Sequence, residues 1–218
     1  LAIVGRNWPH IGLVVYPILM KAGAFRIVKD ESTGQWRSLR PGEDKAKSKP
    51  APPLIPPRMI KEVSWVLKNA GYLNKVELIN GWTIWCFSSE GEPPQGYQAD
   101  LIWIDEDVNN ENFVGESQAR LADRKGRFVW SAMPHSKNDA LIGLCERADR
   151  AVEENIANPI IKKFTFRFLD NNFIDAEEKC KNIERWSALG ADEVRMRAEG
   201  EFTTESTLMY PNFNQAVH

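Results

Sequence analysis

Apolar positions in this chain come in short blocks, and the spacing inside each block predicts an element. Residues 1–5 (LAIVG) are continuously apolar and predict a short buried strand. Residues 10–24 (HIGLVVYPILMKAGA) predict a helix that Pro17 bends. The pattern is lost over 30–57, where six prolines and the charged run GEDKAKSK predict a surface loop or mobile arm. Water solvates the lysines of such a loop, with contact to nucleic acid as the alternative.

Residues 57–71 (PRMIKEVSWVLKNAG) predict a second helix, with proline in its first turn and Gly71 beyond its end. VELIN and TIWCFSS flank Gly81 as a hairpin or as two neighbouring strands. Residues 100–105 (DLIWID) are apolar without alternation, the pattern of a strand covered by helices on both faces. A helix over 111–123, a buried strand over 127–133 (RFVWSAM) and a helix over 137–153 follow. KKFTFRF (162–168) alternates polar and apolar residues and predicts a half-exposed strand. Residues 175–189 and 191–198 read as helices parted by Gly190, and the tail from Gly200 is rich in threonine. Strands alternating with helices through 1–153 imply an α/β sheet with crossover helices.

Composition changes this picture little. With 43% hydrophobic and 27% charged residues the 218-residue chain is an ordinary globular one. A net charge of −2 excludes a protein that is basic all over, but not one with a local basic patch. Cys86, Cys145 and Cys180 are odd in number and form no Cys-x-x-Cys or Cys/His cluster. They predict buried free thiols in a reducing compartment rather than a zinc site or a disulfide framework. No apolar run approaches the roughly 18 residues of a membrane span, and none of the 218 residues reads as a signal peptide.

The chemistry is concentrated where the strand at 100–105 meets Asp105, Glu106 and Asp107. Ligands of open α/β sheets bind beyond the carboxyl ends of the strands. An apolar strand ending in Asp-Glu is the Walker B pattern. There the Asp holds magnesium through its water shell and the Glu polarises the attacking water. A strand that has simply reached solvent ends on acids too, and Asp107 reads as surface charge. One strand-helix-strand step later, RFVWSAMP ends in Ser131-Ala132-Met133-Pro134, where helicase-like motors carry a small hydroxyl residue that senses the phosphate. Trp103 reads as core packing. His10 and His135 are too isolated in sequence to be metal ligands.

The order of these stretches resembles the large subunit of the DNA-packaging terminases of tailed phages and prophages. NGWTIWCFSSEGEPPQGYQADLIWIDEDV resembles that family's asparagine-glycine turn, strand, glycine-containing loop and Walker B. ESQARLADRKGRFVWSAMPHS resembles its arginine-rich helix end and coupling motif. RFLDNNFIDAEE and VRMRAEGEF resemble the segment closing its ATPase domain, and LMYPNFNQAVH the start of its nuclease domain. Two features depart from the family. No P-loop, Gly-x-x-x-x-Gly-Lys-Ser/Thr, occurs in the 218 residues. The acids of the two-metal nuclease would follow His218.

The resemblance implies a P-loop NTPase fold of the RecA/ASCE type, a mostly parallel sheet flanked by helices. Residues 1–158 would be the ATPase core, 159–200 a small closing subdomain and 201–218 the start of the nuclease domain. The P-loop would precede LAIVGRNWPHIG. The chain is therefore expected to begin just after it, with a sheet incomplete at the N-terminus and no ATPase activity by itself. The implied function is ATP-driven DNA translocation into a capsid, with endonuclease activity in the C-terminal part. Asp105 would be the magnesium carboxylate, acting through water. Glu106 would be the catalytic base and Ser131 the coupling residue, with ATP and Mg as cofactors. Arg120, Arg124 and Arg127 are candidates for the arginine that stabilises a transferring phosphoryl group, with solvated helix-end arginines as the alternative. The implied partners are double-stranded DNA, the small terminase subunit, a portal protein and further copies of the chain. No membrane is involved, and the setting is the cytoplasm of an infected bacterial host. Two other readings stay open. One is a helicase-like ATPase of another P-loop lineage; the other is a non-catalytic nucleic-acid or capsid-binding module with a degenerate NTPase fold.

Overall fold

Strand β1, Ala2–Gly5, is buried at every residue and lies between two parallel neighbours, β7 (Thr83–Ser88) and β8 (Leu101–Asp105). The computed structural model describes residues 1–108, 110, 112–134 and 139–202, which divide into two units, Leu1–Ala132 and Met133–His218. In the first unit β9 (Arg127–Ser131) pairs in parallel with β8, and β6 (Tyr72–Leu78) and β5 (Ile60–Leu67) add antiparallel beyond β7. The result is a six-stranded, mostly parallel sheet in the order β5-β6-β7-β1-β8-β9.

Helices cover both faces of this sheet. Helix α1 (Trp8–His10) runs through a π-helical turn, Ile11–Val15, into α2 (Tyr16–Met20), so the predicted helix forms. Pro17 lacks an N–H and stands in the first turn of α2, directly after the π turn that absorbs the lost bond. Ile11, Val15 and Leu19 pack on Ile3, Val76 and Cys86 on one face of the sheet. On the other face Ala2, Val4, Ile102 and Ile104 meet Phe113 and Leu121 of α3 (Asn112–Ala122). Strand β1 is buried on both faces and has no polar face to alternate with, which is why LAIVG is a continuous apolar run; β8 alternates between buried Ile102 and Ile104 and half-buried Leu101 and Trp103. Each of the buried Val, Ile, Leu and Phe side chains among these contributes roughly 1.5–3 kcal/mol.

Four sequence expectations fail here: the strand expected to be buried over 127–133 forms β9 with no buried residue, and three other segments differ. Residues 60–67 form strand β5, not a helix, and Gly71 takes its left-handed conformation (φ 73°) in the tight turn to β6. The apolar residues of that segment fit a helical stripe as well, and pairing with β6 decides the matter. The supposed loop over 30–57 contains most of a small antiparallel sheet, β3-β2-β4, built from β2 (Arg26–Lys29), β3 (Trp36–Ser38) and β4 (Ser48–Pro50). Residues 162–167 join no ladder among the described residues, and Phe164 and Phe166 are exposed. An alternating pattern makes a strand only where a partner strand accepts its hydrogen bonds.

The second unit holds α4 (Asp139–Glu153) and α5 (Ala176–Leu189), whose Asp175 side chain caps the N–H of Glu178. Gly190 separates α5 from α6 (Ala191–Val194), which continues into a π turn, Arg195–Glu199. The expected start of a nuclease domain falls almost wholly on 203–218, and His135 on 135–138, all outside the described residues. Among the described residues no helix is long and apolar enough to cross a membrane.

Candidate functional site

The carboxyl ends of three adjacent parallel strands come level, so that Gly5, Asp105 and Ser131 stand side by side. The Ser131 hydroxyl donates to Asp105 Oδ1 at 2.6 Å. Trp103, one pleat before Asp105, donates its indole N–H to Ser131 Oγ at 2.7 Å. From the other side His10 Nε2 lies 3.3 Å from Asp105 Oδ2. Each carboxylate oxygen thus has a polar neighbour, and the Asp105 side chain is only 18% exposed. The Ser131 hydrogen bond orients the carboxylate, which is what a charge-placing group needs.

Glycine at position 5 makes this arrangement possible. A Cβ there would stand 2.7 Å from Ile11 Cδ1 and 2.9 Å from His10 Nδ1. Asn7 then accepts the His10 backbone N–H at 2.8 Å and starts the helix that carries the imidazole back over the strand end. The His10 Nδ1 atom is buried and has no hydrogen-bond partner.

Glu106 leaves the strand in a left-handed conformation, φ 67°, which is uncommon for any residue but glycine, asparagine or aspartate. Its N–H donates to the Ser131 carbonyl at 2.7 Å, and its own carbonyl accepts the Trp130 indole at 2.9 Å. The turn is thus fixed by β9 while the carboxylate side chain is exposed. Asp107 is half-buried rather than on the surface.

No family model, no curated protein and no solved structure matches this chain. What the residues can do has to be read from their geometry.

Asp105, Glu106 and Ser131 are brought together; the arginines are not. Arg124 reaches Asp100 at 3.5 Å and Gln98 at 3.4 Å, before β8 begins, and Arg127 pairs with Leu101. Arg120 is tied to Glu116 one helical turn away, and its carbonyl accepts the N–H of Ala99. All three stand at the amino end of β8, about 15 Å of strand away from Asp105. Arg6, which directly follows Gly5 in sequence, places a cation at the carboxyl end.

Three partners escaped the sequence. Trp103 packs against the core as expected, but its N–H also anchors Ser131. His10 lies 95 positions from Asp105 and no spacing rule joins them. Gly5 carried a usable signal, since a glycine closing a buried strand often marks a close approach. Beside these residues a cleft of about 420 Å³ opens at the same end of the sheet, walled by Trp8, Phe87 and Phe113 and edged by Glu90 and Glu92. Among the described residues no group of three or more His, Cys, Asp or Glu could hold a metal ion by itself.

Proposed function

We propose that the residues around Asp105 are the Walker B half of an ATP-hydrolysing motor, of the kind that packages DNA in terminase large subunits. The observation that carries this reading is the Asp105–Ser131 hydrogen bond at 2.6 Å, between adjacent strand ends, with Glu106 next in the chain. Asp105 Oδ1 already accepts the Ser131 hydroxyl and Oδ2 faces His10 Nε2 at 3.3 Å, so Asp105 suits a magnesium ion held through water better than direct bidentate ligation. That ion would supply charge neutralisation at the phosphates.

This chain's own residues do the rest. Asp105 offers a fixed negative charge, oriented by Ser131 and His10. Glu106, exposed at the strand end, accepts a proton from an attacking water. Ser131 ties β9 to the Asp105 carboxylate, so a change at the phosphate is felt along β9 and in the segment that follows it. The ladder is continuous from β5 to β9, leaving no gap for a further central strand. A P-loop strand would accordingly pair on the outer side of β9, next to Ser131 and one strand away from Asp105.

The test is steady-state ATP hydrolysis by the intact natural protein that contains these residues. Glu106→Gln is expected to lower kcat about 10²–10⁴-fold while ATP still binds. Turnover unchanged in that variant would remove Glu106 as the catalytic base, and no turnover in the parent would reject the motor in favour of the non-catalytic module. The absence of a P-loop motif from the 218 residues is the observation that favours that second reading.

A further inference from the structure

The small sheet β3-β2-β4 does nothing for the core. None of its ten strand residues is buried, and it is attached through its base, where Gly23 and Phe25 bond Ala51 and where Ile55 enters the main core. Ordering some 25 residues opposes folding by about 1–2 kcal/mol each, and here almost no apolar burial offsets it. Polar contacts hold it instead. Arg37 binds Glu43 at 2.6 and 2.9 Å and Asp30 at 3.0 Å, and Arg26 binds the Ser48 hydroxyl and carbonyl.

These contacts leave the charge of the element one-sided. Residues 21–58 carry nine of the chain's 28 Lys and Arg but only four of its 30 Asp and Glu. Asp30 and Glu43 are spent on Arg37, Glu31 lies against Lys47, and Asp44 caps the N–H of Ala46. Lys29, Arg40, Lys45 and Lys49 make no ion pair among the described residues. The register places Ile27, Lys29, Trp36, Ser38 and Lys49 on one face. Trp36 is 49% exposed there, and Lys49 Nζ sits 3.8 Å over its ring, so the indole holds that cation in place.

We propose that this face is a docking surface for the phosphate backbone of duplex DNA. An acidic protein surface fits less well. Trp36 and, by the same alternation, Phe25 are the exposed apolar residues there, too few to act as the centre of a protein interface, so its affinity must come from charge. A nucleic acid, with one charge per ~1.7 Å of duplex axis, is the polyanion whose released counterions drive such binding. The inference deepens the motor reading by naming where DNA is held, and it does not depend on ATP hydrolysis.

The experiment is fluorescence anisotropy of a labelled 20-base-pair duplex with the 218-residue chain, over a series of salt concentrations. The doubly reversed variant Lys29→Glu/Lys49→Glu is expected to lose affinity tenfold or more at low salt. Its slope of log K against log salt should fall by about 0.9 for each phosphate contact removed. The control Lys68→Glu/Arg147→Glu makes the same charge change on exposed residues elsewhere and is expected to bind within about twofold of the parent. Circular dichroism confirms that both variants fold. Equal losses in the two variants, or a parent that binds a poly-glutamate peptide as tightly as DNA, would overturn the proposal. Glu106→Gln should bind the duplex like the parent, so failure of the motor reading and failure of this one are told apart.

Discussion

Glu106 carries a cost that its neighbours impose. Its backbone is pinned in the left-handed region by Ser131 and Trp130, where a side chain with a Cβ loses roughly 1–2 kcal/mol. Glycine would relieve that strain and lose part of the gain to its own larger unfolded-state entropy. Glu106→Gly is therefore expected to raise stability to urea by about 0.5–1 kcal/mol, read as a higher midpoint at unchanged slope. A lower midpoint would mean that the Glu106 side chain makes a stabilising contact and that the strain is not kept for chemistry. The acids themselves were legible, because charge at the end of an apolar strand is a one-dimensional signal. Their orientation was not. Asp105 is set by His10 and Ser131, which lie 95 and 26 positions away. The thiols split in the same way: Cys86 is buried as expected, and burial pushes it up to about 12, whereas Cys180 is exposed.

The small sheet makes a prediction at the scale of the element. Hydrogen bonds from Arg37, then from the Arg40 backbone, hold the Glu43 carboxyl down at about 2, against 4.5 for a free glutamate. Asp30 is lowered too, first by the Ser32 hydroxyl and then by Arg37. A depressed carboxylate contributes stability that is fully present above its unfolded value and is lost as pH falls through the folded one. The sheet should therefore keep its amide protection down to about pH 4.5 and lose it towards pH 2, ahead of the main sheet. Hydrogen exchange over Arg26–Pro50 checks this; protection unchanged at pH 2 would show that the ion pairs do not hold the element. This sheet was invisible in the sequence because its strands bury nothing, and hydrophobic periodicity registers only elements that do. The strand β5 was misread for a related reason. At an edge its two faces are similarly half-buried, so it lacks a clean alternation.

At the scale of the whole molecule, the parallel order β7-β1-β8-β9 brings the carboxyl ends together and leaves the outer side of β9 unpaired among the described residues. The site has acids, a hydroxyl and an imidazole, but no backbone cradle for phosphates of the P-loop type in the 218 residues. These residues alone are expected to bind Mg-ATP more weakly than micromolar in calorimetry. Micromolar binding would mean that the 218 residues hold the phosphates without a P-loop. Read by itself, the sequence determined the α/β class, the buried strand β1, the existence of strand β8, the long helices and the place of the acids. Each is set by neighbours within a few residues, through burial pattern or strand-end charge. Only the tertiary structure decided that Gly5, His10, Trp103 and Ser131 converge on Asp105, that β5 is a strand, and that the arginines stand at the far end of the sheet. Those facts follow from which strand pairs with which, and pairing is settled by hydrogen bonds and packing between residues that no local pattern connects.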